Sequence, residues 1–175
     1  MKKPRLAKLI IIVAIAILGY FQSKNKSYKK VVDDVMSKNS KTQQIGPYLK
    51  KVSTNHWISP AGLHYKGKDR KGLTRAEHVL RHAKDMPNRA GKHSVFTAQG
   101  DQVFKLIDKA YLKAQEQGRK PFKSGFNYAL EIDMREKIGY LGGQVGNRKG
   151  RPPLKKIKII LRKNQQDVIT AYPSK

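Results

Sequence analysis

Cysteine is absent from this chain of 175 residues. Its absence excludes disulfides, thiol catalysis and zinc sites built on thiolates, and suits an exported protein and a cytosolic one equally. Acidic residues are scarce: 12 stand against 38 lysines and arginines, for a formal charge of +26. That imbalance is the electrostatic footprint of a protein that meets phosphate polymers or anionic surfaces. Tryptophan occurs once, at Trp57, where it reads more readily as a core anchor than as a platform for a base. There is no internal repeat. The Gly-rich basic stretch Gly142 to Arg151 lacks the Gly-Lys-Ser/Thr ending of a P-loop, and no helix is expected after it, so both common nucleotide-binding fingerprints are set aside.

A full-length membrane span is also not evident. The uncharged run from Leu9 to Phe21 is shorter than the ~20 residues a span usually needs. It follows the basic start Met1-Lys2-Lys3-Pro4-Arg5, so the pattern is that of a secretory signal, yet no small-x-small cleavage site follows it. A cleaved signal and an uncleaved anchor both fit. The chain therefore divides into a signal peptide or N-terminal membrane anchor over 1–21, a basic polar linker over 22–51, and one compact domain over 52–175. The expected location of that domain is outside the cytoplasm, secreted or membrane-anchored.

Within the domain, Val52 to Gly72 reads as an irregular packed loop. Thr74-Arg75-Ala76-Glu77 is a capping box that opens a helix, and Pro87 stops it. His93 to Phe96 reads as extended. A second helix is expected from Asp101 to Gln117, with Val103, Phe104, Ile107, Ala110, Tyr111 and Ala114 on one stripe and Gly118 as its exit. After Pro121 the period becomes two: Tyr128, Leu130, Ile132 and Met134 alternate with Ala129, Glu131, Asp133 and Arg135, and Lys137 to Leu141 returns as the expected hairpin partner. Ile157, Ile159 and Leu161 mark another strand, and Asp167 to Tyr172 the last. Helices first and strands after predict an α+β fold: two N-terminal helices packed on a roughly four-stranded antiparallel sheet, preceded by an N-terminal hydrophobic helix.

The chemistry centres on the first helix. Ala76, Val79, Leu80 and Ala83 share one face, and His78 and His82, four apart, share the other, flanked by Arg81 and Asp85. RNA cleavage by internal transfer needs a base for the 2′-OH proton, an acid for the leaving 5′ oxygen and cations for the phosphate charge. Histidine, with an ordinary pKa of about 6.5, suits the proton steps. His78 and His82 are the acid–base candidates, Arg81 a phosphate clamp and His93 a third candidate. Thr170 and Tyr172, alternate residues of the last strand, share a face and offer hydroxyls. Arg148, Lys149 and Arg151 in the Gly-rich stretch, whose free amides suit a phosphate cradle, join Lys158 as RNA-binding candidates. Histidines at i and i+4 also ligate zinc in H-E-x-x-H, but here Val79-Leu80-Arg81 lies between them, with no glutamate and with a cation at the site. No metal and no other cofactor is expected.

The order of these parts resembles the small metal-independent ribonuclease domains of bacterial toxins, the broad group of barnase, EndoU-like, colicin and RelE nucleases. The residues that carry the likeness are Glu77-His78-Val79-Leu80-Arg81-His82, His93-Ser94-Val95-Phe96 and Val168-Ile169-Thr170-Ala171-Tyr172-Pro173, and it spans roughly residues 53 to 175. The resemblance implies RNA cleavage through a 2′,3′-cyclic phosphate, with His78 or His82 and Thr170 or Tyr172 near the scissile bond. The expected partners are RNA, the membrane through the N-terminal segment, and an inhibitor or immunity protein. The alternative function is a non-catalytic basic module that binds nucleic acid or anionic envelope polymers.

Overall fold

Residues 45–163 and 166–175 are described by the structure, a computed structural model. The expected signal or anchor over 1–21, its hydrophobic helix and most of the expected linker lie outside the described residues. Among the described residues no helix is long and apolar enough to cross a membrane.

The fold is α+β, with three antiparallel sheets and three α-helices among the described residues. Strands β1 (Lys50–Ser53), β2 (His56–Ile58) and β3 (His64–Lys66) form the first sheet, where an irregular loop was expected. Each is only three or four residues long, and Gly62 and Gly67 turn the chain at φ 81° and 83°, so no periodicity could announce them. The packed body also begins earlier than residue 52. Leu49 is buried, and the Tyr48 hydroxyl donates to the buried Asp108 at 2.9 Å. Residues from Ile45 on therefore pack on the core instead of serving as linker.

Helix α1 (Arg75–Leu80) starts as expected: Thr74 Oγ1 accepts from Glu77 N, and Thr74 N donates to Glu77 Oε2 at 2.7 Å. It tightens into a 3-10 turn over Arg81–Ala83, and extended Lys84 ends it ahead of Pro87. Strand β4 (His93–Phe96) follows, then helix α2 (Asp101–Glu116), whose Val103, Phe104, Ile107, Ala110 and Ala114 are buried.

Next come β5 (Phe122–Ser124), β6 (Asn127–Asp133), β7 (Gly139–Gly142), helix α3 (Gly143–Arg148), β8 (Pro153–Leu154), β9 (Lys156–Leu161) and β10 (Val168–Ser174). The main sheet has the order β10-β9-β6-β5. Ile157 and Ile159 face the core with Leu130, Ile132 and Ala171; Lys158 and Ile160 face out with Glu131, Thr170 and Tyr172. Helix α1 lies against β10, and α2 against β6 and β9.

Two local expectations are corrected. Lys137 to Leu141 does not fold back on β6. Arg135, at φ 62°, turns the chain away, and β7 pairs with β4 and β8 in a separate sheet. Gly139 makes that possible, because a Cβ there would strike the Val95 carbonyl and the Pro173 ring. The Gly-rich stretch is not a phosphate-cradling loop either. Its start is helix α3, and its first amides are already used: Gly143 N donates to Asp85 at 3.0 Å and Gln144 N to the Arg89 carbonyl at 3.1 Å.

Phe104 is fully buried and meets Tyr65 edge-on at 5.1 Å between ring centres. Phe104→Ala should lower the unfolding free energy by about 3–5 kcal/mol. Urea titration would show this as a lower midpoint at unchanged slope.

Candidate functional site

The apolar face of α1 is driven into the core through Ala76, Val79 and Leu80, with Ala83 of the following turn beside them. Helical geometry then turns His78 and His82 outward. They meet a cleft made of two adjoining cavities, of about 600 and about 440 Å³. His78, His82, Arg89 and His93 line both. The larger cavity is walled by five cations, Arg70, Lys71, Arg75, Arg81 and Arg89, and by one carboxylate, Asp69. The smaller one is walled by Thr170, Tyr172 and Ser174 of β10, with Leu141, Leu154 and Lys149.

His78 Nδ1 lies 2.6 Å from Asp69 Oδ2. Asp69 is itself held by the turn that precedes the helix, its other oxygen accepting from Lys71 N at 2.8 Å and Leu73 N at 3.0 Å. Burial alone would raise the Asp69 pKa, but the hydrogen bonds from His78 and the two amides outweigh it and hold the carboxyl below its ordinary value. A fixed carboxylate on Nδ1 orients the imidazole and favours its Nε2 as the working nitrogen.

His82 is in a different environment. Its Nδ1–H donates to the Ser94 carbonyl at 3.0 Å. Its ring stacks on His93 at 5.5 Å and lies 5.5 Å from Tyr172 and 6.3 Å from His78. Desolvation pushes its pKa down to about 4; the Ser94 bond partly offsets this, while His93, His78 and Arg89 add to the depression. The ring is therefore neutral at pH 7. The Tyr172 hydroxyl is shifted the other way, its pKa raised by burial and by the charge of Glu131.

His93, the third candidate, lines both cavities. It is buried, and both ring nitrogens are occupied: Nε2–H donates to the Lys84 carbonyl at 3.0 Å and Nδ1 accepts from Arg89 Nη1 at 2.9 Å. Its work is to aim Arg89 into the cleft. Thr170 reaches the same wall as Tyr172, with its Oγ1 buried and without a hydrogen-bond partner.

The basic candidates scatter. Lys149 lines the smaller cavity, and Arg148 is exposed at the end of α3. Arg151 is drawn to Asp85 at 3.3 Å and lies over Tyr140. Lys158 stands on the outer face of the sheet, 5.8 Å from the Phe122 ring centre. Among the described residues no group of three or more His, Cys, Asp or Glu is arranged to hold a metal ion.

Sequence reasoning missed Asp69, Arg75 and Arg89. Arg75, whose Nη1 donates to the Ile169 carbonyl at 3.3 Å, and Arg89 had no signal beyond charge. Asp69 had one: Asp69-Arg70-Lys71-Gly72 just before a capping threonine is a turn that places a carboxylate beside the helix start. Comparison with protein-family models, curated proteins and solved structures returned no match.

The depressed His82 has a consequence for stability. The unfolded chain takes up a proton on this ring near pH 6.5, at about the ordinary histidine value, and the folded chain only near pH 4. Between those values the unfolded state binds more protons, so stability is full above the upper value and is lost as pH falls toward the lower, by about 3 kcal/mol in all. Urea midpoints at pH 7 and near pH 4 should differ more for the wild type than for His82→Gln. Equal pH dependence in the two proteins would rule out a neutral His82.

Proposed function

We propose that this protein is an endoribonuclease that cuts RNA without a metal, by transfer of the phosphodiester to the adjacent 2′ oxygen, and that it acts outside the cytoplasm, exported or tethered by its N-terminal segment. The observation that carries the reading is the His78–Asp69 contact of 2.6 Å, placed where a cavity walled by five cations opens.

In this mechanism His78 Nε2 takes the proton from the 2′-OH, and Asp69 compensates the charge that appears on the ring. The 2′ oxygen attacks phosphorus and the bond to the 5′ oxygen breaks, its electron pair staying on that oxygen. Tyr172, kept protonated by its raised pKa, donates the proton that completes the leaving alcohol; the phenolate is then reprotonated from solvent and His78 gives its proton back to solvent, so the turnover is proton-neutral. Arg75, Arg81 and Arg89 offset the negative charge that builds on the phosphate oxygens. His82 is a positioning residue, a neutral ring between His93 and Tyr172. The products are a 2′,3′-cyclic phosphate and a free 5′-OH, in keeping with the toxin-type ribonucleases that the sequence resembles.

The test is incubation of the full chain, in detergent, with total RNA in EDTA. Wild type should cleave and leave cyclic ends. His78→Ala should lose about 10²- to 10⁴-fold in rate, and Asp69→Asn should lose activity while the fold is retained. Intact RNA with every protein, together with salt-sensitive retardation on a gel, would replace this reading with the non-catalytic basic module.

A further inference from the structure

The cleft opens at one edge of the four-stranded sheet, and the outer face of that sheet carries related chemistry to the opposite edge. Tyr172 on β10, next to His82, lies directly across from Lys158 on β9. Lys158 Nζ stands 5.8 Å from the ring centre of Phe122, on edge strand β5. Ring, cation and ring thus follow one another across the sheet, over three strand spacings or about 15 Å.

Phe122 and Phe126 are both exposed, Phe126 fully, at the β5–β6 turn. Neither fills the core. Arg119 and Lys120 flank Phe122 around a shallow cavity of about 470 Å³. One carboxylate stands on this path: Glu131 of β6 lies directly across from Lys158 and lines the same shallow cavity, and it is paired with Lys156 at 3.5 Å.

Aromatic rings left in solvent between cations, on a protein of charge +26, match one occupant well. Unpaired bases stack on exposed rings while lysines and arginines follow the phosphates. A duplex offers the phosphates but not the faces of its bases, which are already stacked on one another. An apolar protein partner would leave the cation between the rings unpaired.

We propose that the outer face of this sheet is a track for an unpaired nucleic-acid strand, running from the cleft past Lys158 to Phe122 and Phe126. The substrate is then single-stranded RNA, engaged over several nucleotides beyond the bond that is cut. This rests on the ribonuclease reading for where the strand is cleaved, but not for how it is bound.

The test uses the full chain in detergent and a fluorescent single-stranded DNA of about eight nucleotides, which lacks the 2′-OH and so survives. Anisotropy should show tighter binding to this strand than to a duplex of the same sequence. Phe122→Leu and Phe126→Leu should each weaken single-strand binding by about tenfold and leave duplex binding unchanged; Phe122→Trp should restore it. Leucine variants that bind the strand like wild type would overturn the track, as would a loss confined to phosphatidylserine vesicles. The two readings fail separately: Phe122-dependent strand binding without RNA cleavage sustains the track and sinks the ribonuclease, while cleavage with Phe122-independent binding does the reverse.

Discussion

The seating of one short helix governs the rest of this molecule. Once Ala76, Val79 and Leu80 of α1 are buried against the sheet, the rotation of the helix is fixed, and His78 and His82 have only one direction to face. The six residues of α1 would not hold together in water alone; a helix this short depends on its cap and on the packing of its apolar face. Core formation and the aim of the two histidines are thus the same event.

Identical side chains on that helix end up in different surroundings. His78 meets a carboxylate held by two backbone amides. His82, one turn on, meets a carbonyl and three rings. The second environment penalises a positive imidazole. Around both, the cations of the larger cavity set the sign of whatever enters. The smaller cavity, with Leu141 and Leu154 beside Tyr172, offers that guest a less polar wall.

Much of this was legible in the sequence wherever a period ran long enough. The capping box announced α1, a six-residue stripe announced α2, with Tyr111 at its half-buried margin, and the alternation of Ile157, Ile159 and Leu161 announced β9. The pairing of His78 with His82 followed from spacing alone. What escaped was set by distant partners. The first sheet has strands too short to show a period. Strand β7 reads as a hairpin partner by adjacency, yet the close approach at Gly139 gives it to β4. Helix α3 contains two glycines against its propensity, and holds because Asp85 takes the Gly143 amide and Gly146 lies against the Leu141 backbone. The same limit applies to the site. His93 read as a third candidate in the next segment, with nothing to say that both of its nitrogens are committed, and the turn signal at Asp69 puts a carboxylate beside the helix start without joining it to the His78 ring.

The turn from Asp69 to Thr74 does two jobs with one set of atoms. Its amides hold the carboxylate, and Thr74, reached within five residues, caps the helix that carries His78. A chain in which α1 has not nucleated therefore also lacks the oriented histidine. The turn, the helix start and the orientation of the ring are thus gained or lost in a single step.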